Sequence, residues 1–251
     1  FRVPEEINRC IVDYTSDINL TYIDIAREYL LREGLPPDQV IKIGSPMREV
    51  IEYYRDGVDA STVLNRLELS EQAYFLVSSH REENVDSPEN LQRLFNVMNV
   101  VAERFGLPVI VSTHPRTRKH MNAMSLVVHP LVKFHKPFGF LDYIRLQTSA
   151  RAVLSDSGTI TEESSILNFP ALNLREVQER PEGFEEAAVM FVGLDADRAL
   201  QALGVLESQS RGTTRTLALV EDYEATNVSD KVLRIILSYT DFVNRKVWRK
   251  A

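Results

Sequence analysis

Cysteine is almost absent from this chain. Cys10 is the single thiol in 251 residues, so an intrachain disulfide and a cysteine-based zinc cluster are both excluded. No apolar run approaches the roughly 18–20 residues of a membrane span, and no leader segment is recognisable. The expectation is a cytoplasmic protein with no membrane partner. A basic excess is missing too. Lys and Arg total 29 against 36 Asp and Glu, for a formal net charge of −7. That balance argues against nucleic acid as a partner, so any phosphate must be held locally by a few side chains and backbone N–H groups. There is no G-x-G-x-x-G and no P-loop. The histidines lack paired i, i+4 spacing and no carboxylate cluster resembles a hard-cation cage, so no metal is expected.

What remains is an ordinary globular composition, 44% hydrophobic and 26% charged, long enough for one large domain or two smaller ones. The chain starts Phe-Arg-Val-Pro without an initiator Met. Residues 17–21 read as a strand, 22–32 as an amphipathic helix closed by Gly34, and 40–43 as a second strand. Two strands and a helix cannot bury a parallel sheet, so a missing N-terminal section is expected.

From about residue 70 the pattern becomes regular. Strands are expected at 74–79, 109–111, 132–134, 152–155, 171–174 and 189–192. Helices are expected at 91–105, 116–121, 140–147, 159–167, 195–206 and 228–250. Alternation of this kind predicts an α/β fold with a parallel, doubly wound sheet.

Ligands in such sheets gather at the carboxyl ends of the strands. The segments there are Ser79-His80-Arg81-Glu82-Glu83-Asn84, Thr113-His114-Pro115-Arg116, His135-Lys136-Pro137-Phe138 and Asp156-Ser157-Gly158-Thr159, followed by residues 175–182. Three of the five histidines lie in these segments. The sharpest single signal is 154–165, where a buried strand leads through a Ser-Gly turn into a helix carrying Glu162 and Glu163. Free N–H groups and the positive end of a helix dipole then meet at one point, an arrangement suited to a diphosphate.

Each candidate also has a structural reading. Thr159-x-x-Glu162 matches a capping box, which leaves Glu163 as the preferred ligand carboxylate. Arg180 in Glu179-Arg180-Pro181-Glu182 either meets an anion or bridges its neighbours. Phe138, Phe140 and Tyr143 either pack in the core or stack on a base.

Taken in order, Pro4-Glu5-Glu6-Ile7-Asn8-Arg9, His80-Arg81-Glu82-Glu83-Asn84, His114-Pro115, residues 155–163 and Glu179-Arg180-Pro181-Glu182 resemble the non-hydrolysing UDP-N-acetylglucosamine 2-epimerase family. The resemblance runs from Phe1 to Ala251. It implies a glycosyltransferase-B-like fold of two Rossmann-type halves with parallel sheets. Residues 1–43 would be a remnant of a largely missing N-terminal half, 44–227 the UDP-binding half, and 228–251 a helix crossing back. It also implies a homodimer, a UDP-sugar substrate, and no nicotinamide or metal cofactor.

By the same resemblance, Glu5 and His80 would be catalytic. Ser157, Gly158 and Thr159 would cradle phosphate, Glu163 would hold the ribose hydroxyls, and Phe138 and Tyr143 would hold and stack the uracil. Arg81, His114 and Arg180 would complete the substrate contacts. Two departures narrow the branch. Arg81 is followed by Glu82, where many members carry a second arginine, and Thr159 replaces the second glycine of Ser-Gly-Gly. Both fit the capsule and O-antigen branch, which converts UDP-2-acetamido-2,6-dideoxy-L-talose to UDP-N-acetyl-L-fucosamine. The alternatives are a hydrolysing epimerase or retaining glycosyltransferase on the same fold, or a non-catalytic nucleotide-binding half-domain.

Overall fold

The computed structural model describes residues 4–81, 84, 86–113, 126–176 and 180–250, without the side chains of Pro4 and Glu5. The expected short helix at 116–121 lies outside the described residues. The chain divides into two compact units, one comprising residues 1–52 and 221–251 and the other residues 53–220.

The first unit holds α1 (Pro4–Thr15), β1 (Asn19–Thr21), α2 (Asp24–Arg32), β2 (Val40–Lys42), α3 (Met47–Tyr53) and α11 (Val228–Lys246). β1 and β2 pair in parallel, Asn19 against Val40 through Thr21 against Lys42. The helix α1 is not among the expected elements, and its apolar residues Ile7, Ile11 and Val12 are exposed. Arg9 ties the helix together by ion pairs to Glu6 at 2.9 Å, Asp13 at 2.5 Å and Glu33 of the α2 end at 3.0 Å. Gly34 follows α2 at φ +99°, a conformation that Cβ-bearing residues rarely adopt. Within this unit α11 is fastened by Lys231 Nζ on Ile43 O at 3.0 Å and by Trp248 Nε1 on Asp17 Oδ2 at 3.1 Å.

The second unit is a three-layer α/β sandwich. Two short helices, α4 (Arg55–Asp59) and α5 (Val63–Arg66), precede the sheet; they are too short for periodicity to reveal. There follow β3 (Phe75–Ser78), α6 (Pro88–Phe105), β4 (Val109–Ser112), β5 (Val132–His135), α7 (Phe140–Ser149), β6 (Ala152–Ser155), α8 (Thr159–Leu167), β7 (Ala171–Asn173), α9 (Pro181–Glu185), β8 (Met190–Phe191) and α10 (Ala196–Leu206). All six strands are parallel in the order β5-β4-β3-β6-β7-β8. The expected strands and helices that fall on described residues are all present. Their ends agree closely, except that α6 starts earlier, at Pro88, and α11 stops earlier, at Lys246.

Because side chains alternate across a strand, β3 feeds two cores. Phe75 and Val77 pack with Leu91, Phe95, Met98 and Leu203 on one face. Tyr74 and Leu76 pack with Leu146, Ile160 and Phe169 on the other. Burial on both faces is why these strands read as continuous apolar runs. Ser87 caps α6 by accepting from Asn90 N at 3.3 Å, and Gly106 ends it in the left-handed region. The chain runs outward from β3 to β5, then crosses back to β6 and runs the other way. The order therefore reverses between β3 and β6, and their carboxyl ends form the switch-point crevice of a Rossmann-type sheet.

Candidate functional site

The register sets Ser78 beside Ser155 at those carboxyl ends, so the two loops that follow start side by side. Asp156 is fully buried between them. Its Oδ2 accepts from Ser79 Oγ at 2.6 Å and from Arg81 N and Asn84 Nδ2 at 3.1 Å, and both carboxylate oxygens lie 3.1 Å from His80 N. The His80 ring is half exposed, with Nδ1 3.6 Å from Asp156 Oδ1. Asp156 thereby fastens the histidine loop to the β6 end. Sequence reading missed it, because an acidic residue in a Ser-Gly loop looks like a turn former.

Directly after Asp156 the chain turns into α8. Ser157 N donates to Ser155 Oγ at 3.1 Å, Thr159 N to Ser157 Oγ at 3.3 Å, and the Ser157 and Thr159 hydroxyls lie 2.9 Å apart. Gly158 occupies the N-cap position and has no side chain to cap with. First-turn N–H groups of a helix have no intrahelical acceptor. The start of α8 thus offers backbone donors, two hydroxyls and a positive dipole end in one small region.

The N-cap of α8 is Gly158 rather than Thr159, the first residue of the expected capping box. Glu162 instead pairs with Arg180 at 3.0 Å, and Arg180 lies 4.0 Å from Glu182. Both carboxylates are buried, so the bridging reading of Arg180 describes its contacts here. α9 approaches α8 so closely at Gly183 that an added Cβ would overlap Thr161 Cγ2, which explains the glycine two residues after Pro181.

Glu163 faces into the unit. It is buried, accepts from Gln147 Nε2 and bonds Thr159. Burial pushes its carboxyl above the ordinary range, and the neighbouring Glu162 adds to the rise. Tyr143 is bonded to Ser78 and Gln147; burial, then the Glu163 charge, push its hydroxyl up. Tyr143 and Phe138 both pack at the margin of the second core, and the Phe138 ring lies 5.6 Å from that of His135. Of the expected site residues, the structure thus joins His80, Arg81, Ser157, Gly158 and Thr159 through Asp156 and its loop, and Tyr143 with Glu163 through Gln147. Phe138 follows β5 and Arg180 lies after β7, strands separated in the sheet by β4, β3 and β6. His114 lies outside the described residues. Glu5 belongs to α1 in the other unit, and its side chain is likewise not described.

No described helix is long and apolar enough to cross a membrane. No group of three or more His, Cys, Asp or Glu suited to a metal occurs among the described residues.

The family model for UDP-N-acetylglucosamine 2-epimerase matches residues 2–237. The chain belongs to this family. A UDP-N-acetylglucosamine 2-epimerase of Methanocaldococcus jannaschii is 30% identical over 83% of this chain and 59% of its own length. The solved structure of the Rickettsia bellii UDP-N-acetylglucosamine 2-epimerase superposes with TM-score 0.88 at 42% identity, over 99% of this chain and 67% of that one. A Methanocaldococcus jannaschii structure, in complex with UDP-GlcNAc and UDP, superposes with TM-score 0.83 at 28% identity, over 94% of this chain and 65% of that one. The family fold is glycosyltransferase-B-like, as the resemblance implied. The chain spans about three fifths to two thirds of these relatives.

Proposed function

We propose that this chain carries the nucleotide-binding half of a non-hydrolysing UDP-sugar 2-epimerase, an isomerase. The observation that supports the reading best is the crevice between the β3 and β6 ends. There the His80 loop and the open N-terminus of α8 share one buried anchor, Asp156. The Methanocaldococcus relative captured with UDP-GlcNAc and UDP supports the ligand class.

Inversion at C2 must break a C–H bond that no adjacent carbonyl activates. An elimination route solves this. A base takes the C2 proton, the C1–O bond breaks, and its electron pair leaves with UDP, giving a glycal-type intermediate. UDP then adds back to C1 while a proton reaches C2 on the opposite face. The route needs stabilisation of the departing diphosphate and acid–base groups on both faces of the ring. On this reading Ser157, Gly158, Thr159 and the start of α8 hold the diphosphate, and Arg81, His114 and Arg180 complete the substrate contacts. His80 stands at the diphosphate, and Glu5 is the carboxylate of the proton transfer. Glu163 holds the ribose hydroxyls, and Phe138 with Tyr143 borders the uracil.

The substrate proposed is UDP-2-acetamido-2,6-dideoxy-L-talose, converted to UDP-N-acetyl-L-fucosamine for surface polysaccharide. The Arg81-Glu82 pair and Thr159 in place of a second glycine support that choice. A cytoplasmic homodimer belongs to the same reading. The test is incubation with that substrate in deuterated water, followed by NMR. The fuco epimer with deuterium at C2 and no accumulating UDP is the expected result. Accumulating UDP would replace the reading by hydrolysis or transfer, and bound UDP without turnover by a binding half-domain.

A further inference from the structure

The two oxygens of Asp156 are used unequally. Oδ2 collects Ser79 Oγ, the His80 and Arg81 backbone amides and Asn84 Nδ2, all within 3.1 Å. Among the described residues Oδ1 shares only the His80 amide at 3.1 Å, and the next donor position facing it is His80 Nδ1 at 3.6 Å. A carboxylate oxygen has two lone-pair directions, so Oδ1 retains acceptor capacity on the side where the ring stands. The ring itself is half exposed while the carboxylate is fully buried. The Nδ1 of His80 therefore stands beside a fixed, buried acceptor while the ring as a whole is half exposed.

We propose that Asp156 is the positioning residue of the site: it holds the proton of neutral His80 on Nδ1 and presents a bare Nε2 outward at the β3 end. Asp156 also sits one residue before the Ser157-Gly158-Thr159 turn. The same residue thus fixes the histidine loop against the α8 start, so the two cannot shift independently. The assignment deepens the UDP-sugar reading and rests on it for its meaning in catalysis. Its geometric content concerns the ligand-free chain alone. Which imidazole nitrogen bears the proton is set by the partner of the other nitrogen, and a preorganised support shell is what gives a reactive group its geometry.

The substitution Asp156→Asn gives a directional result. Four donors converge on the Oδ2 position against a single, shared donor at Oδ1, so the amide oxygen takes the former place and the amide nitrogen the latter. From there its N–H faces Nδ1, which must now be the bare nitrogen. The tautomer inverts. A residue that served only to hold the loop would alter stability and leave the proton where it was.

The experiment is long-range 1H–15N NMR on histidine-labelled full chain at pH 8.5, well above the ordinary imidazole range, with His80→Gln to identify the signal. In the parent, the Nδ1–H form of His80 is expected to exceed the Nε2–H form by about tenfold, the ratio set by about 1.4 kcal/mol. Asp156→Asn is expected to reverse the preference, and Ser79→Ala, which leaves the carboxylate in place, to keep it. A parent His80 protonated on Nε2, or an unchanged tautomer in Asp156→Asn, overturns the proposal. If Asp156→Asn does not fold, the parent spectrum and Ser79→Ala decide. UDP titrated into the same samples separates the two readings. The expected tautomer without UDP binding would sink the UDP-sugar reading alone, and UDP binding with the wrong tautomer would sink the positioning role alone.

Discussion

The six-stranded sheet has two ends, and they are built on different principles. At the carboxyl end, buried polar groups accumulate: Ser79, Asn84, Asp156, Glu162, Glu163 and Glu182 are all nearly inaccessible. Hydrophobic burial cannot account for them, since each polar group taken from water must find a partner. At the amino end lies a cavity of about 470 Å3, lined by Phe75, Phe105, Arg151, Leu203, Glu207 and Arg211 among others. It has room for a ligand, yet its charges are already committed. Arg211 donates to the carbonyls of Ala150 and Arg151, next to the end of α7, and Arg151 pairs with Glu207 at 2.8 Å and lies over the Phe105 ring. Burial, then Arg151, hold the Arg211 guanidinium below its usual range. Helices α6, α7, α8 and α10 finish at this end, and their negative dipole ends suit arginines and oppose an anion. The difference teaches that volume does not locate a site. A helix start and a histidine loop converging on one buried carboxylate do.

The largest effect expected between the two ends is at the sheet centre. Leu76→Ala removes a fully buried side chain and should cost about 2–5 kcal/mol, measured by urea unfolding. UDP affinity of the remaining folded protein should stay within twofold, because stability and binding are separable in this account. A loss of affinity matching the loss of stability would erase that separation.

Gly183→Ala comes next. Its Cβ overlaps Thr161, so α9 must move off α8 at a cost of about 1–3 kcal/mol. That displacement carries Arg180 away from Glu162, and UDP affinity should fall with it.

At Glu163 stability and function should move in opposite directions. Its carboxyl is raised in the folded protein, so the native state binds more protons than the unfolded one and stability falls as pH rises through the carboxylate range upward. Glu163→Gln removes the buried charge. It should raise the melting temperature at pH 8 by about 2–4 °C, on the order of 1 kcal/mol, with the gain vanishing near pH 4. UDP affinity should drop about tenfold as the ribose acceptor is lost. A variant both less stable and equally tight would show that Glu163 is a structural group. The smallest effect is at the amino end. Glu207→Gln breaks an exposed pair, should cost at most about 1 kcal/mol, and should leave UDP binding unchanged.

Much of this was legible from residues alone. β3, β4 and β6 show because burial on both faces demands unbroken apolar runs, and the α8 start shows because Ser-Gly-Thr after such a run is distinctive. Other features depend on pairings across long sequence separations. Asp156 becomes a hub only when β3 and β6 lie side by side, 77 residues separating it from Ser79. Glu162 fits a capping box locally and loses that role to Arg180, brought in by α9.

The most direct measurement is a UDP titration of uniformly 15N-labelled chain followed through its amide resonances. Saturable shifts at His80, Ser157, Gly158 and Thr159, with Arg151 and Arg211 unmoved, are what this account predicts. Shifts concentrated at the amino end, or none up to millimolar UDP, would contradict it.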